Sequence, residues 1–516
     1  MPIARHAPST ALLACAAVLT GLTPARNAAA GSFSFTAGDL VISTVTCSVG
    51  PTACSSTGAN GAGLDTAAPI VLDQFSLGAG GTSANLVNTL TLPQTANGAN
   101  VAISGEYGSA SEGALQQSVN GRYLTIMGYG VDPTKFNNAA PSTYGTAALG
   151  QTTSLTTAQQ AALPTPTNYT TVPRVVALIG ADGSVDTTTA LTGVFNNNNP
   201  RSAATVDGSS FYVSGQGASK TDSTQGVFYA AKGATTATPI DTSTETRVVE
   251  IVNTGNGNTL YVSRDQNPPN SGNQNFTNVS SLTGPGNTLP TSSTLLTTTH
   301  IVPPASPLSS GGNNGSINLT SALGNGVNNV GKNSRVGSFV YLSPEQYFFA
   351  SATVLYVADS GQPKNGNADK AALGEGGLQK WVLVNGVWTL EYDLFKGLNL
   401  VDNATSLANT KTGSPTDPGV TGLFGLTGEV VGGNVELFTT SYGLNELSPS
   451  YLYEITDPLA AITPANGEQF TLLYAAPADT LIRGVAFAPV PEPASIALLA
   501  TGLAGLGLLR RRAAKG

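Results

Sequence analysis

Short runs of alternating apolar and polar residues, each closed by Gly, Asn or Asp, recur along almost the whole chain. Such period-two runs predict half-buried β-strands, and the Gly, Asn and Asp between them predict tight turns. Examples are GDLVISTVTC from Gly38, NGRYLTIMGYG from Asn120, VDGSSFYVSGQG from Val206 and IRGVAFAP from Ile482. Helical periodicity is scarce; LTTAQQAAL, from Leu155, is the one short helical stretch within a polar insertion spanning 137–173.

Two sub-patterns repeat. In one, a turn leads into a strand ending on a small residue: DGSSFYVSG, GNTLYVSRD, ATVLYVADSG and GNVELFTTSYG. In the other, two strands flank a tight turn, as in VVALIGADGSVDTTTAL and KWVLVNGVWTLEYDL. Asp182-Gly183 and Asn385-Gly386 are dipeptides suited to two-residue hairpins, whose central positions need positive φ. Alternation of these units predicts an all-β propeller of six or seven irregular blades spanning residues 31–489. The first strand, near Gly38, and the last, near Ile482, are expected to share a blade, closing the ring and removing free sheet edges. A pair of β-sandwich domains is the competing architecture. A second insertion, rich in Gly, Asn, Ser and Pro, is expected at 267–337.

Both ends break this pattern. Residues 1–30 have a basic start (Arg5), an apolar run from Ala11 to Leu22, and a small-x-small site at Ala28 and Ala30. That order predicts a secretory signal peptide. At the other end, residues 494–509 (ASIALLATGLAGLGLL) carry no charge and run into Arg510, Arg511 and Arg512. Burying three arginines inside a globule is costly, and a cationic stop suits a C-terminal transmembrane helix.

The segment Val490-Pro491-Glu492-Pro493, followed by the apolar run and the arginines, resembles the PEP-CTERM sorting signal of Gram-negative bacteria. The resemblance covers residues 490–516. It implies that Pro491, Glu492 and Pro493 are recognised by an exosortase, a membrane protease-transpeptidase. The implied route runs from an inner-membrane-tethered precursor to the cell surface, outer envelope or extracellular matrix.

Charged residues make up only 10% of the chain, far below the usual quarter of soluble domains. Solubility therefore rests on hydroxyls and amides. Without the signal peptide and tail the body carries a net charge near −13, against −8 for the full chain. Such a body is a poor nucleic-acid partner, because that affinity comes from neutralising phosphates; divalent cations or polysaccharide suit it better. Cys47 and Cys54 are the two cysteines beyond the signal peptide, and a C-x6-C pair in an exported chain reads as a disulfide.

Candidate chemistry is thin. His300 is the single histidine past the signal peptide and sits in a stretch that reads as loop. Zinc sites with several imidazoles are thereby excluded. Asp265, Asp359, Glu391 and Asp393 are the acids that could serve a glycosidase, which needs two converging carboxyl groups. Asp359, Asn365, Asn367 and Asp369 could supply oxygen ligands to Ca²⁺, although Lys370 and Glu375 depart from an EF-hand loop. No other cofactor is expected. Trp381 and Trp388 could stack on sugar rings, or pack between blades. The expected function is that of an exported structural or binding protein of the surface or exopolysaccharide matrix, not an enzyme. A carbohydrate-active enzyme on the same scaffold and an adhesin or glycan-binding surface are the alternatives.

Overall fold

The computed structural model describes residues 33–47, 62–109, 111–219, 221–253, 255–264, 278–302, 316–317, 340–341, 343–361, 376–398, 420–443, 449–477 and 479–491. The signal peptide, Cys54, Asp265, Asn365, Asn367, Asp369, Glu492, Pro493 and Arg510 to Arg512 lie outside them.

The described body is all-β and propeller-like, with only short helical turns. Four separate sheets each contain four antiparallel strands in chain order, starting at Pro200–Ala204, Val249–Asn253, Pro344–Ser351 and Val420–Val431. The separate blades thus number four, not six or seven. The difference arises because the remaining blade-like strands merge into one nine-stranded sheet. One half of that sheet carries Thr480–Phe487, Leu40–Thr46, Ala67–Leu77 and Ala84–Thr91. The other half carries Gln116–Gln117, Tyr123–Tyr129, Arg174–Gly180 and Val185–Leu191, with Ser104–Glu106 stitching the halves together. Leu40 pairs with Phe487 and Thr46 with Thr480, so the first and last described strands lie side by side.

Sheets pack face to face through alternating apolar side chains. Tyr356, Leu378 and Tyr392 of one blade meet Leu423, Leu437 and Tyr453 of the next. Val175, Ala177 and Ile179 pack with Val41, Ile70 and Leu481 inside the nine-stranded sheet.

Hydroxyl groups join neighbouring innermost strands. Ser43 Oγ accepts from Gly484 N (2.8 Å) and donates to Gly113 O (2.7 Å). Thr125 Oγ1 donates to Ala203 O (2.6 Å). Ser214 Oγ lies 2.6 Å from Ser202 Oγ and donates to Arg247 O (2.7 Å). Ser263 Oγ accepts from Val248 N (3.0 Å) and donates to Glu345 O (2.6 Å). Thr440 Oγ1 accepts from Gly425 N (2.8 Å) and donates to Arg483 O (2.5 Å). Ser43 and Thr125 lie within their strands, whereas Ser214, Ser263 and Thr440 sit near the end of the second strand of their sheets, where the repeated pattern has its small residue. The motif LYVADSG has Ala358 there, and Gln346 Oε1 instead accepts from Leu426 N (3.1 Å). Buried polar atoms must be paired, so the small hydroxyls satisfy backbone groups and tie adjacent blades together.

Turn chemistry matches the sequence in one hairpin and departs from it in another. Asn385 and Gly386 both have positive φ (51° and 82°) between Gly377–Val384 and Val387–Leu394, as a two-residue turn requires. Asp182-Gly183 instead belongs to a wider loop in which Gly180 N donates to Ser184 O, with only Gly183 at positive φ. The Asp182 carboxylate is occupied by Ser184 N and Oγ, a local bond typical of Asp in turns. Within 137–173, Thr157–Ala161 is a helix capped by Thr156 and Gln159. Of the polar stretch 267–337, Asn278–Thr283 and Thr297–Val302 form the outer half of a blade, so His300 lies on a strand and not in a loop. Thr-rich outer strands need only one apolar face, which hides them from hydropathy.

Candidate functional site

The Ser214 and Ser263 bridges reach Arg247 and Glu345 beside the starts of Val249–Asn253 and Pro344–Ser351, and the strand registers place the starts of the innermost strands at one end of the ring. We refer to it as the entry face. The strand ends flanking residues 48–61, 265–277, 303–315, 362–375, 399–419 and 444–448 lie at this face too.

Charged side chains gather there. Arg201 donates from Nη1 to Thr246 O (2.9 Å) and from Nη2 to Gln216 Oε1 (2.5 Å), with Glu245 Oε2 at 3.4 Å. Arg247 Nε lies 3.8 Å from Glu345 Oε1, which also accepts from Ser360 Oγ (3.1 Å). Burial, and after it the neighbouring Arg247, lowers the Arg201 guanidinium to about 10. Burial pushes the Tyr442 phenol up to about 12 and also raises Glu345, against the pull of Arg247 and Arg201. Phe424 and Tyr442 pack with Ala114 and Val248 beside this group.

Three acids share one neighbourhood. Asp359 Oδ1 accepts from Gly361 N (2.8 Å), and Oδ2 from Ser343 N (3.1 Å) and Gln379 Nε2 (2.8 Å). Burial holds its carboxyl well above the usual range, and Asp393 and Glu345 push it the same way. Asp393 is raised by burial as well. All three are buried, and the Asp359 oxygens are taken up by protein donors. Among the described residues no group of three or more His, Cys, Asp or Glu is arranged to hold a metal ion. The tryptophans serve packing: Trp381 is buried with Nε1 donating to Gln379 Oε1 (3.0 Å), and Trp388 meets Phe349 edge-on at 6.0 Å.

A second carboxyl pair lies beside the nine-stranded sheet, Glu106 on Ser104–Glu106 and Glu112 in the segment that follows it. Glu112 Oε1 accepts from Glu106 N (2.6 Å), and Glu106 Oε1 from Gly150 N (2.9 Å). Burial raises Glu112 to about 7. Arg174, fully buried, donates to the carbonyls of Val172, Thr152, Phe195 and Asn198 and lies 4.8 Å over the Tyr129 ring. The cavity between Ser43, Glu112 and Arg483 has room for about one water, too little for a sugar ring.

Of the acids read from the sequence, the structure brings Asp359 and Asp393 together and leaves Glu391, half-buried, on the next residue but one of the same strand. The reading missed Arg201, Arg247, Glu345 and Glu112. Three of them carry a visible signal: in NPRSAA, TRVVEI and PEQYFF, and again in IRGVAF, a charge stands at or beside the start of a strand that should be apolar.

The tail leaves by the opposite face. After Thr480–Phe487, Ala488 N donates to Asp39 O and Val490 N to Gly121 O (both 2.8 Å). Pro489 is buried, whereas Val490 and Pro491 are exposed. No helix among the described residues is long and apolar enough to cross a membrane; the segment expected to do so, 494–509, lies outside them.

Comparisons with known proteins bear on the tail far more than on the body. No curated protein matches the chain. Among solved structures, an ancestral GH74 enzyme is similar at 10% identity and a TM-score of 0.21, over 79% of this chain. The chain spans 46% of that protein's length, and a likeness so slight carries no argument about activity. A family model of the PEP-CTERM protein-sorting motif matches residues 489–512. The chain therefore carries a PEP-CTERM sorting motif behind a propeller-like β body, which implies an exported protein recognised by an exosortase.

Proposed function

We propose that this is a non-enzymatic display protein of the cell surface or exopolysaccharide matrix. Its signal peptide directs export, residues 494–509 tether the precursor in the inner membrane, and exosortase processing near Pro491, Glu492 and Pro493 delivers the body. The propeller-like body closes through the pairing of its first and last described strands, and the last of these hands out the tail. The observation that carries this reading is the placement of Pro491: the closing strand ends, the chain is pinned once by Val490, and the motif begins at the surface. Two prolines keep such a strip extended and short of backbone donors, which suits a processing enzyme. The Cys47–Cys54 disulfide belongs to the same exported state.

Fractionation of cells expressing the full chain and a chain ending at Pro489 tests this. The full chain should reach the surface fraction, and the shortened one should accumulate as soluble periplasmic protein. Equal surface delivery of both would defeat the reading.

The convergence of Glu345, Asp359 and Asp393 favours a second reading, a carbohydrate-active enzyme. Its test is polysaccharide cleavage that disappears in Asp393→Asn. The committed hydrogen bonds of Asp359 and the burial of all three acids support display over cleavage.

A further inference from the structure

The exit face carries an unusual set of exposed aliphatic residues. Val384 and Val387 flank the Asn385-Gly386 turn, and Leu383 N donates to Thr353 O, which fixes that turn at the ends of the innermost strands. Val430 and Val431 end the innermost strand Val420–Val431. Ile462 follows Pro458, whose strand partner Asn434 starts immediately after the same Gly432-Gly433 turn. Leu295 lies between Asn278–Thr283 and Thr297–Val302, again at that end. Their exposures run from 44% for Val384 to 74% for Leu295. Other exposed large apolar residues lie elsewhere: Leu86, Val87 and Leu472 on outer strands, Leu163 and Tyr169 in the 137–173 insertion. Single exposed apolar residues need no explanation, but a grouping at one end does.

The tether supplies the occupant. Val490 leaves the body at this face, and only Pro491, Glu492 and Pro493 separate it from the apolar segment beginning at Ala494. Four fully extended steps reach about 14 Å, so a tail inserted in a bilayer holds this face within headgroup reach. We infer that the exit face, through Val384, Val387, Val430, Val431, Ile462 and Leu295, docks on the lipid surface while the precursor is tethered, turning the charged entry face away from the membrane. The inference rests on the reading that residues 494–509 enter the bilayer. The contact is apolar and shallow, as for interfacial segments. It needs no anionic lipid, since an acidic body gains nothing from a negative surface.

The test uses the full chain reconstituted in phosphatidylcholine vesicles, with an environment-sensitive fluorophore on Val431→Cys or, at the entry face, on Ser219→Cys. Vesicle flotation reports the tail, and quenching by shallow spin-labelled lipid reports the face. The expected result is flotation of both proteins with loss of fluorescence at position 431 and none at 219. Flotation without quenching at 431, or with equal quenching at both positions, would overturn the docking while leaving the tether intact. Failure to float would remove the tether and the docking together. A Val384→Ser, Val387→Ser, Val430→Ser variant should still float and lose most of the quenching at 431; unchanged quenching contradicts the inference.

Discussion

Lys380 and Asp457 are both fully buried, 2.6 Å apart, and join the third strands of two neighbouring blades. Tyr392 Oη donates to Asp457 Oδ1 (2.5 Å), Tyr356 Oη donates to Oδ2, and Lys380 Nζ also donates to Pro458 O (2.7 Å). Such a pair contributes little beyond an apolar equivalent, but removal of one partner strands the other charge. Lys380→Met should cost about 3–5 kcal/mol in urea unfolding. Glu112 gives a pH dependence of definite sign. Its folded value, about 7, exceeds the ordinary 4.5 because burial disfavours the charged form; Glu106, Tyr129, Arg174 and Arg483 face it and oppose this only in part. The stability it contributes is fully present below pH 4.5 and is lost as pH rises through 7, by roughly 3 kcal/mol at most. Glu112→Gln should flatten the unfolding midpoint between pH 5 and 8; an unchanged slope would show that other acids, such as Glu250, set it.

At the scale of elements, the bridging hydroxyls carry the architecture. Ser263→Ala should remove the donor to Glu345 O and the acceptor of Val248 N in the core and cost about 1–3 kcal/mol in chemical denaturation. A neutral outcome would mean that the blades are held by apolar packing alone. These strands were legible in the sequence: FYVSG, LYVSR and LFTTS repeat, and their next-to-last residue, Ser214, Ser263 or Thr440, is the bridge itself. Merging was not legible, because the linking strand Ser104–Glu106 is short and pairs with Tyr129 through Ser104 alone. Nor did hydropathy reveal Asn278–Thr283 and Thr297–Val302, whose alternation is Ser and Thr against Val and Leu, with weak contrast. The charges at the entry face were legible only as anomalies. Arg201 or Arg483 beside a strand start reads as an ordinary surface charge until the neighbouring innermost strands are brought together.

At the scale of the molecule, the two ends of the ring differ in kind. One gathers buried arginines and carboxylates; the other has exposed aliphatic side chains and the departing tail. That polarity turns a sorting address into a geometry, because a body tethered by its last strand presents its far face outward. The most direct measurement is the intact mass of the mature protein recovered from cells that possess an exosortase. The account predicts a chain lacking residues 494–516, and retention of those residues when Arg510, Arg511 and Arg512 are all replaced by serine. A wild-type protein recovered from the envelope with its sequence complete to Gly516 would contradict it.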